Sequence, residues 1–367
     1  MVPGPGPAAE LFRRAGYPVH SIPLAAWYYL AHVPRLKPST RVKHALLAPV
    51  TTLALGRLLD RVRPDVVHLN CALLPVAAAT VVGRHLPLVW HIREVIPDDD
   101  PRARDLLVNA ARRATARVAI SGAAAGPFRP AGEVRVIHEG VEPAEWWRPD
   151  ARGTTRTALG IGVEEIVLLY AAGFSPHKGQ MEFLEALPEA LARVPNLRIL
   201  MAGDDAAPGW TQRVRRRAAE LGLGPGSGRA ARIDWLGWRS DLPNLLAACE
   251  AALPADVAVF VPTAGEGFGL PLIEAMAAGR ALIGPDDPTG REIVTDRVTG
   301  CLVRPNDRDA LALAIHGAAS DPDRRARFGA AARADVERRF TIGAMASAFS
   351  EVFEEAARSG SSTRSRL

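Results

Sequence analysis

Residues 257–279, VAVFVPTAGEGFGLPLIEAMAAG, constrain the fold of this chain more than any other stretch of its sequence. They open with five apolar, mostly β-branched residues, which predict a short strand buried on both faces. A loop with three glycines follows. Pro271 then marks the start of a helix, because the fixed φ of proline suits the first helical turn. The stretch therefore predicts a strand, a glycine-rich loop and a helix in succession.

Two carboxylates accompany the backbone amides of this unit. Glu266 lies in the loop and Glu274 lies in the helix. Glycines allow the backbone to approach a ligand closely, and the free N–H groups at a helix N-terminus favour a phosphate. Carboxylates accept hydrogen bonds from sugar hydroxyls, so the combination indicates a nucleotide sugar. The alternative is an ordinary strand-to-helix turn in which the glycines only turn the chain.

The spacing of the two acids favours the ligand-binding interpretation. Glu266 and Glu274 stand at the two ends of EGFGLPLIE, which resembles the E-x7-E motif of retaining glycosyltransferases. The longer segment EGFGLPLIEAMAAG is similar to glycosyltransferase family 4, and other segments match in order from about residue 64 to residue 353. The resemblance implies an α/β protein of the GT-B fold, with two Rossmann-like, doubly wound domains facing an interdomain cleft.

The length of the chain agrees with two domains, since 367 residues with 48% hydrophobic content suffice for two cores. The resemblance implies an acceptor-binding domain over residues 1–148 and a nucleotide-sugar-binding domain over residues 149–340. It also implies a helix over residues 341–358 that returns to pack on the first domain. The serine-rich residues 359–367 predict a disordered tail.

The N-terminal residues depart from the family pattern, which begins with a buried strand and a glycine-rich loop. Residues 8–15 predict the end of the first helix, and residues 17–22 predict the second strand. We therefore expect the N-terminal domain to lack its first strand. Two explanations stay open: the start codon lies further upstream, or the strand has been lost.

Composition argues against several other classes of protein. The three cysteines are scattered and form no CxxC pair or Cys/His cluster, so neither a disulfide framework nor a zinc site is predicted. No apolar run reaches the roughly 18 residues of a membrane-spanning helix, and no signal peptide is recognisable, so we expect a cytoplasmic protein. The net charge of +5 fits an anionic partner, and no nucleic-acid-binding module is present.

Residues 24–48 combine an aromatic, apolar stretch, LAAWYYLAHV, with a basic one. The basic part contains Arg35, Lys37, Arg41, Lys43 and His44. One interpretation is a core helix with a solvated basic edge. The other is a membrane-surface patch that holds the protein at the inner face of the cell membrane, near a lipid-linked acceptor.

A histidine closes one predicted strand of the first domain. LPLVWHI, residues 86–92, predicts a strand with His91 at its carboxyl end, and Arg93 and Glu94 follow it. Open α/β sheets place ligand chemistry at the carboxyl ends of their strands. HIRE resembles the position at which the family carries a histidine that contacts the donor sugar, so His91 is a candidate catalytic residue. The alternative is a histidine satisfied in the core.

The second domain offers a candidate phosphate site. IVLLYAAG predicts a buried strand, and the loop FSPHKGQ leads into a helix. Lys178 at the start of that helix suits a diphosphate by its charge and by the free amides nearby. The family loop often reads G-R-x-x-x-K-G, but here Phe174 follows Gly173 and occupies the arginine position. Arg239 or Arg93 is the candidate replacement.

The resemblance implies a role for each site residue. The predicted catalytic residues are Glu266, which binds the hexose hydroxyls near the reacting carbon, His91 and Lys178. Glu274 binds the ribose hydroxyls. The other predicted donor contacts, besides Lys178, are Gly173, Arg239, Gly267, Phe268, Gly269, Leu270, and Glu292 in the segment PTGREIV. No metal or other cofactor is expected, because the lysine and the amides neutralise the leaving diphosphate.

These observations predict a hexosyltransferase that uses a UDP, GDP or other nucleotide-diphosphate sugar with retention of configuration. Its acceptor would be a glycan, a lipid-linked saccharide or a small molecule. The alternative is a non-catalytic, sugar-nucleotide-binding partner subunit of a glycosyltransferase complex. The missing first strand and Phe174 support that alternative, whereas the E-x7-E motif, Lys178 and His91 oppose it.

Overall fold

A computed structural model gives the fold in two compact units. Unit 1 comprises Met1–Ile137 with Ala346–Leu367, and unit 2 comprises His138–Met345. Glu266 and residues 26–37 lie outside the part of the chain that the structure describes. The described residues are 1, 4, 6–25, 38–96, 101–224, 232–249, 257–259 and 267–364.

Unit 1 alternates helices and strands along the chain. Its elements, in order, are α1 (Pro7–Arg14), α2 (Pro38–Val62), β1 (Val67–Leu69), α3 (Pro75–Val82), β2 (Leu88–Ile92), α4 (Pro101–Ala111), β3 (Ala116–Ala119), α5 (Gly122–Ala125), a 3-10 helix (Gly126–Ala131) and β4 (Arg135–Val136). Among the described residues the four strands form one parallel sheet in the order β1-β2-β3-β4. All five residues of β2 are buried, as a central strand covered on both faces requires.

Unit 2 repeats the alternation on a larger scale. Its elements are α6 (Pro143–Trp146), α7 (Ala151–Ala158), β5 (Ile166–Ala171), α8 (Gln180–Arg193), β6 (Leu197–Ala202), α9 (Trp210–Glu220), β7 (Arg232–Gly237), α10 (Leu242–Ala248), β8 (Val257–Val259), α11 (Leu270–Ala277), β9 (Ala281–Pro285), α12 (Pro288–Ile293), β10 (Cys301–Val303), α13 (Arg308–Ser320) and α14 (Pro322–Arg339). The last helix, α15 (Ile342–Arg364), begins in unit 2 and belongs to unit 1 from Ala346 onward.

The sheet of unit 2 is parallel, and its described strands lie in the order β10-β9-β8-β5-β6-β7. Helices α8 and α13 cover one face, where Phe183, Leu187 and Ile315 are fully buried. The strand order reverses between β5 and β8, which are neighbours in the sheet. Ligands of open α/β sheets bind outside the carboxyl ends of the strands at such a reversal. The fold alone therefore directs the search for a site to the ends of β5 and its neighbours.

One predicted strand does not form. Residues 17–22 were expected to be a strand, but within this described segment only Ser21 takes part in a β-bridge. Pro18 and Pro23 explain the difference, because proline has no N–H to donate to a strand ladder. The prediction of a helix just before this segment agrees with α1.

The C-terminal tail also differs from the prediction. Residues 359–367 were expected to be disordered, but α15 continues to Arg364. Gly360 is buried, and a Cβ at this position would collide with the ring of Pro87. This close contact within unit 1 stabilises a helical end whose glycine and serines have weak helix propensity. Tertiary packing therefore overrides the local composition.

Candidate functional site

The carboxyl ends of β5, β6 and β7 converge at Gly203. Its φ is +148°, a backbone conformation that residues with a side chain rarely adopt. A Cβ at this position would also collide with the carbonyl oxygen of Ala172. The N–H of Gly203 donates to the carbonyl oxygen of Gly237 at 2.8 Å. A glycine at this position therefore allows three strand ends to lie side by side without side chains between them.

A pocket of about 320 Å³ opens at these strand ends, within unit 2. Its volume falls at the lower end of the roughly 300–1,000 Å³ typical of small-molecule sites. The residues that line it come mainly from the ends of three strands and from the helix after β8. They include Gly173 and the polar or aromatic residues Asp204, Asp205, Trp238, Arg239 and Glu274. The pocket thus joins three predicted donor contacts, at positions 173, 239 and 274.

Among the ionisable groups that line this pocket, the carboxyl group of Glu274 has the most perturbed pKa. It lies on α11 and is partly buried. Burial raises the pKa of its carboxyl group from 4.5 to about 7, because the charged form loses contact with water. Perturbed carboxyl groups in clefts are common at functional sites. Near neutral pH the carboxyl group is partly ionised. A hydrogen bond from a ligand hydroxyl would stabilise its ionised form.

The glycine-rich loop leads directly into α11. Gly269 precedes the helix with a φ of +83°, and Pro271 lies in its first turn. Phe268 is only 3% exposed, so its side chain packs inside unit 2. Leu270 is exposed and Gly267 is partly buried. The backbone amides of this segment, rather than its buried ring, are therefore the groups suited to a diphosphate.

In the predicted phosphate loop, the position at which the family has an arginine holds a phenylalanine that packs in the core. Phe174 is 1% exposed, and its ring lies edge-on to Trp235 at 6.3 Å. Its N–H donates to the carbonyl oxygen of Asp204 at 2.8 Å. Lys178 is partly buried, and its carbonyl oxygen accepts a hydrogen bond from the hydroxyl of Tyr170. The structure thus leaves the loop with the lysine and with an aromatic anchor in place of the second cation.

Arg239 lines the pocket but already has a carboxylate partner. Its Nε and Nη2 donate to the two carboxylate oxygens of Asp241 at 2.7 and 2.6 Å. These hydrogen bonds raise the pKa of Arg239 and lower that of Asp241. A second anion at Arg239 would have to bind beside this pair. Its role as a substitute for the missing arginine therefore stays a prediction.

Glu292 makes a contact that the sequence did not predict. It lies on α12, and its Oε1 is 2.7 Å from Nε2 of His138. Its backbone carbonyl accepts a hydrogen bond from Nη2 of Arg339 at 2.6 Å. Both the side chain and the backbone of Glu292 are thus engaged within unit 2.

His91 belongs to unit 1 and is 3% exposed. Its ring stacks on His68 at 5.6 Å and meets Phe349 of α15 edge-on at 5.0 Å. Neither ring nitrogen has a hydrogen-bond partner among the described residues. Burial, followed by the positive charge of Arg93 and by His68, lowers the pKa of His91 to about 3. The burial agrees with a core position, but the unpartnered ring nitrogens do not agree with a histidine satisfied in the core. A contact with the donor sugar therefore stays a prediction.

Four residues near the predicted site were not singled out from the sequence. Asp204, Asp205 and Trp238 line the pocket, and His138 contacts Glu292. Asp204 comes after Gly203 at the end of β6, and Trp238 comes after Gly237 at the end of β7. That position at a strand end was the available signal. His138 had no comparable signal, because its contacts come from residues distant in sequence.

The part of the chain that the structure describes contains no group of three or more His, Cys, Asp or Glu side chains arranged to hold a metal ion. Over the same residues, every helix is too short or too polar to cross a membrane.

Comparisons with known proteins identify the family. The family model for glycosyl transferases group 1 matches residues 152–335, half of the chain. The phosphatidyl-myo-inositol mannosyltransferase of Mycolicibacterium smegmatis is 31% identical over 231 residues, which are 56% of each chain. A D-inositol 3-phosphate glycosyltransferase of Saccharomonospora viridis is 31% identical over 61% of this chain and 50% of its own. These matches span less than two thirds of the relatives' own length.

Solved structures establish the fold. Anabaena HepE in complex with UDP superposes with a TM-score of 0.79 at 23% identity, over 96% of this chain and 90% of that one. Sucrose-phosphate synthase from Thermosynechococcus elongatus gives 0.70 at 21% identity, over 91% and 82% of the two chains. The predicted α/β GT-B fold with two Rossmann-like domains is confirmed. By its sequence match and its fold, this chain belongs to the glycosyl transferases group 1 family.

Proposed function

We propose that this chain is a retaining glycosyltransferase, which transfers a hexosyl group from a nucleotide-diphosphate sugar to a glycan, lipid-linked or small-molecule acceptor. The observation that carries the proposal is Glu274, a partly buried carboxyl group with a raised pKa that lines a pocket at the strand ends of unit 2. Relatives named as a mannosyltransferase and a glycosyltransferase support it, and so does the UDP in the HepE complex.

The pocket holds the nucleoside part of the donor in this proposal. Glu274 accepts hydrogen bonds from the ribose hydroxyls. Trp238 lies at the rim of the pocket and is 73% exposed, so its ring offers a face on which a base can stack. Gly173 has no side chain to obstruct the approach of the ligand to the end of β5.

The diphosphate and the hexose lie beyond the pocket, at the glycine-rich loop. The amides of residues 267–270 point their N–H groups, with the dipole of α11 behind them, at the diphosphate. Lys178 adds a positive charge where negative charge grows as the sugar leaves. Glu266, outside the described residues, binds the hexose hydroxyls. Because these groups supply the positive charge, we infer that turnover requires no metal ion and persists in a chelator.

Glu274→Ala tests the donor site, with Glu189→Ala as the control. Glu189 is a half-exposed residue of α8 that pairs with Arg193. Calorimetry against UDP-glucose and GDP-mannose should show at least about a tenfold loss of affinity for Glu274→Ala and none for the control, since lost charge-assisted hydrogen bonds cost about 1.5–3 kcal/mol. Unchanged affinity of Glu274→Ala would refute its role.

Turnover distinguishes the enzyme from a non-catalytic subunit. The wild-type protein should release nucleoside diphosphate from the donor that it binds, and Lys178→Ala should slow that release by at least about tenfold. Binding without any release, across a panel of acceptors, would favour the partner-subunit alternative. That alternative draws its support from the buried Phe174 in the arginine position.

We further propose that α2 contacts an anionic membrane surface, near a lipid-linked acceptor. Exposed apolar residues recur every three or four positions along it and therefore share one face: Val42, Leu46, Val50 and Leu53. Arg57 and Arg61 are exposed on the same helix and supply positive charge toward lipid headgroups. Most of the aromatic stretch first assigned to this contact lies outside the described residues.

Flotation with vesicles tests this contact. Leu46→Asp places a charge on the apolar face of α2, whereas Leu313→Asp makes the same change at an exposed position of α13. Anionic vesicles should carry the wild-type protein and the Leu313→Asp control, and they should carry less of Leu46→Asp. Equal flotation of the two variants, or no flotation of the wild type, would exclude this face as a membrane contact.

A further inference from the structure

Three aromatic rings form a cluster next to the glycine-rich loop, within unit 2. His138 and Phe268 stack with their ring centroids 5.5 Å apart and their planes 25° from parallel. Phe340 meets both rings edge-on, at 5.4 Å from His138 and 5.8 Å from Phe268. The two phenylalanines are almost completely buried. Such ring pairs stabilise their arrangement by about 0.5–1.5 kcal/mol beyond the burial of their area.

A hydrogen bond to Glu292 holds His138 in this cluster. Its Nε2 is 2.7 Å from Oε1 of Glu292 on α12. Arg339 donates to the backbone carbonyl of Glu292 at 2.6 Å, and its guanidinium lies 4.4 Å from the centre of the Phe340 ring. The imidazole therefore has a fixed orientation, because a hydrogen bond and two ring contacts act on it together.

The described part of the glycine-rich loop, residues 267–269, carries one large side chain. Phe268 stands between Gly267 and Gly269, and glycines leave the backbone free to adopt other conformations. Its ring is the large side chain that attaches residues 267–269 to the body of unit 2. The position of the backbone amides at the start of α11 therefore depends on where the Phe268 ring is held.

We propose that His138 is a positioning residue of the donor site. By stacking on Phe268 while Glu292 holds it, His138 fixes the glycine-rich loop in the conformation that presents its amides to the leaving diphosphate. The inference rests on the proposed function. It assigns Glu292 to the support of His138 rather than to direct contact with the donor. Small displacements of such groups are costly, because a shift of about 1 Å can slow a reaction about a hundredfold.

Two substitutions of His138 separate the ring from the hydrogen bond. His138→Phe keeps a ring to stack on Phe268 and loses the bond to Glu292. His138→Gln keeps a donor toward Glu292 and loses the ring. His316→Gln is the matched control, since this histidine contacts Ser320 on α13, away from the pocket residues. Each variant is assayed for kcat, for its unfolding midpoint and for its affinity toward two ligands.

The two ligands report on different parts of the site. A nucleoside monophosphate reaches the pocket at Glu274 but not the loop, whereas UDP-glucose or GDP-mannose reaches both. We expect His138→Gln to lower kcat by at least about tenfold and to leave the monophosphate Kd within about twofold of the wild type. His138→Phe keeps the stacked ring but loses the bond to Glu292, so it should lower kcat by less than His138→Gln does. His316→Gln should change neither kcat nor the monophosphate Kd.

Phe268→Leu removes the other ring of the stack and keeps the test valid if His138→Gln does not fold. It should lower kcat as His138→Gln does, and the double variant should lose little more than either single variant, because both remove the same contact. Wild-type kcat in His138→Gln or Phe268→Leu overturns the proposal, as do multiplicative losses in the double variant or a parallel loss of monophosphate binding. A wild-type protein that binds no nucleotide sugar overturns the proposed function as well.

Discussion

Donor binding should depend on pH through Glu274. Burial raises the pKa of this carboxyl group to about 7, so near neutral pH the free protein holds it partly protonated. Ribose hydroxyls donate hydrogen bonds to the ionised carboxylate, and the protonated form has lost acceptor capacity. A donor that binds the ionised form must therefore release the proton, and its affinity rises as pH rises toward the pKa and then levels off.

The size of the effect follows from the pKa. One unit below a pKa of about 7, about one carboxyl group in eleven is ionised, whereas one unit above it about ten in eleven are. Binding to the ionised form alone therefore weakens about tenfold between about pH 8 and about pH 6, or about 1.4 kcal/mol. Glu274→Gln has an uncharged acceptor of the same shape, and its affinity should be lower at high pH and constant over this range.

Calorimetry with a nucleotide sugar measures this linkage. Both phosphates of such a ligand are esterified, so the ligand does not titrate in this range, unlike a free nucleoside diphosphate. Repeating each titration in buffers of different ionisation enthalpy counts the protons released, which should approach one below the pKa and zero above it. The same pH dependence in wild type and Glu274→Gln, or a flat profile in the wild type, would contradict the assignment.

Two further predictions concern unit 1. The unfolded chain binds a proton on His91 near pH 6.5, whereas the folded state does so only near pH 3. The contribution of His91 to stability therefore falls by about 2 kcal/mol between about pH 7 and about pH 5. Denaturant titrations of both proteins should show that the free energy of unfolding of the wild type, relative to that of His91→Phe, falls by this amount. Gly360→Ala should destabilise the protein by about 1–3 kcal/mol because the new methyl group collides with Pro87. Gly343→Ala in the same helix meets no neighbour and should stabilise it by about 0.5–1 kcal/mol, so equal effects in thermal unfolding would disprove the steric argument.

Local sequence patterns predicted most of the secondary structure and the central motif. Short apolar runs bounded by glycine and proline predicted the strands of unit 2. In the described part of the central motif, a strand at Val257–Val259 and a helix that begins after Gly269 agree with the prediction. These features depend on residues adjacent in sequence. The pocket beside Glu274 was also predictable in outline, because parallel strands bring their carboxyl ends to one edge of the sheet.

The contacts that the sequence could not predict join residues far apart in the chain. The stacking of His138 on Phe268 depends on the packing of a complete unit, and so does the burial of Phe174 in an expected arginine position. The helical end at Gly360 forms because it packs on Pro87. In each case tertiary packing decides an outcome that the neighbouring sequence does not determine.

The central claim is that the pocket of unit 2 binds the nucleotide part of an activated sugar through Glu274. A crystal structure of the protein with a bound nucleotide sugar tests it most directly. The ribose hydroxyls should lie within hydrogen-bonding distance of the Glu274 carboxylate, and the diphosphate should lie at the amides of residues 267–270. A nucleotide bound elsewhere on the protein, with the Glu274 pocket empty, would contradict the account.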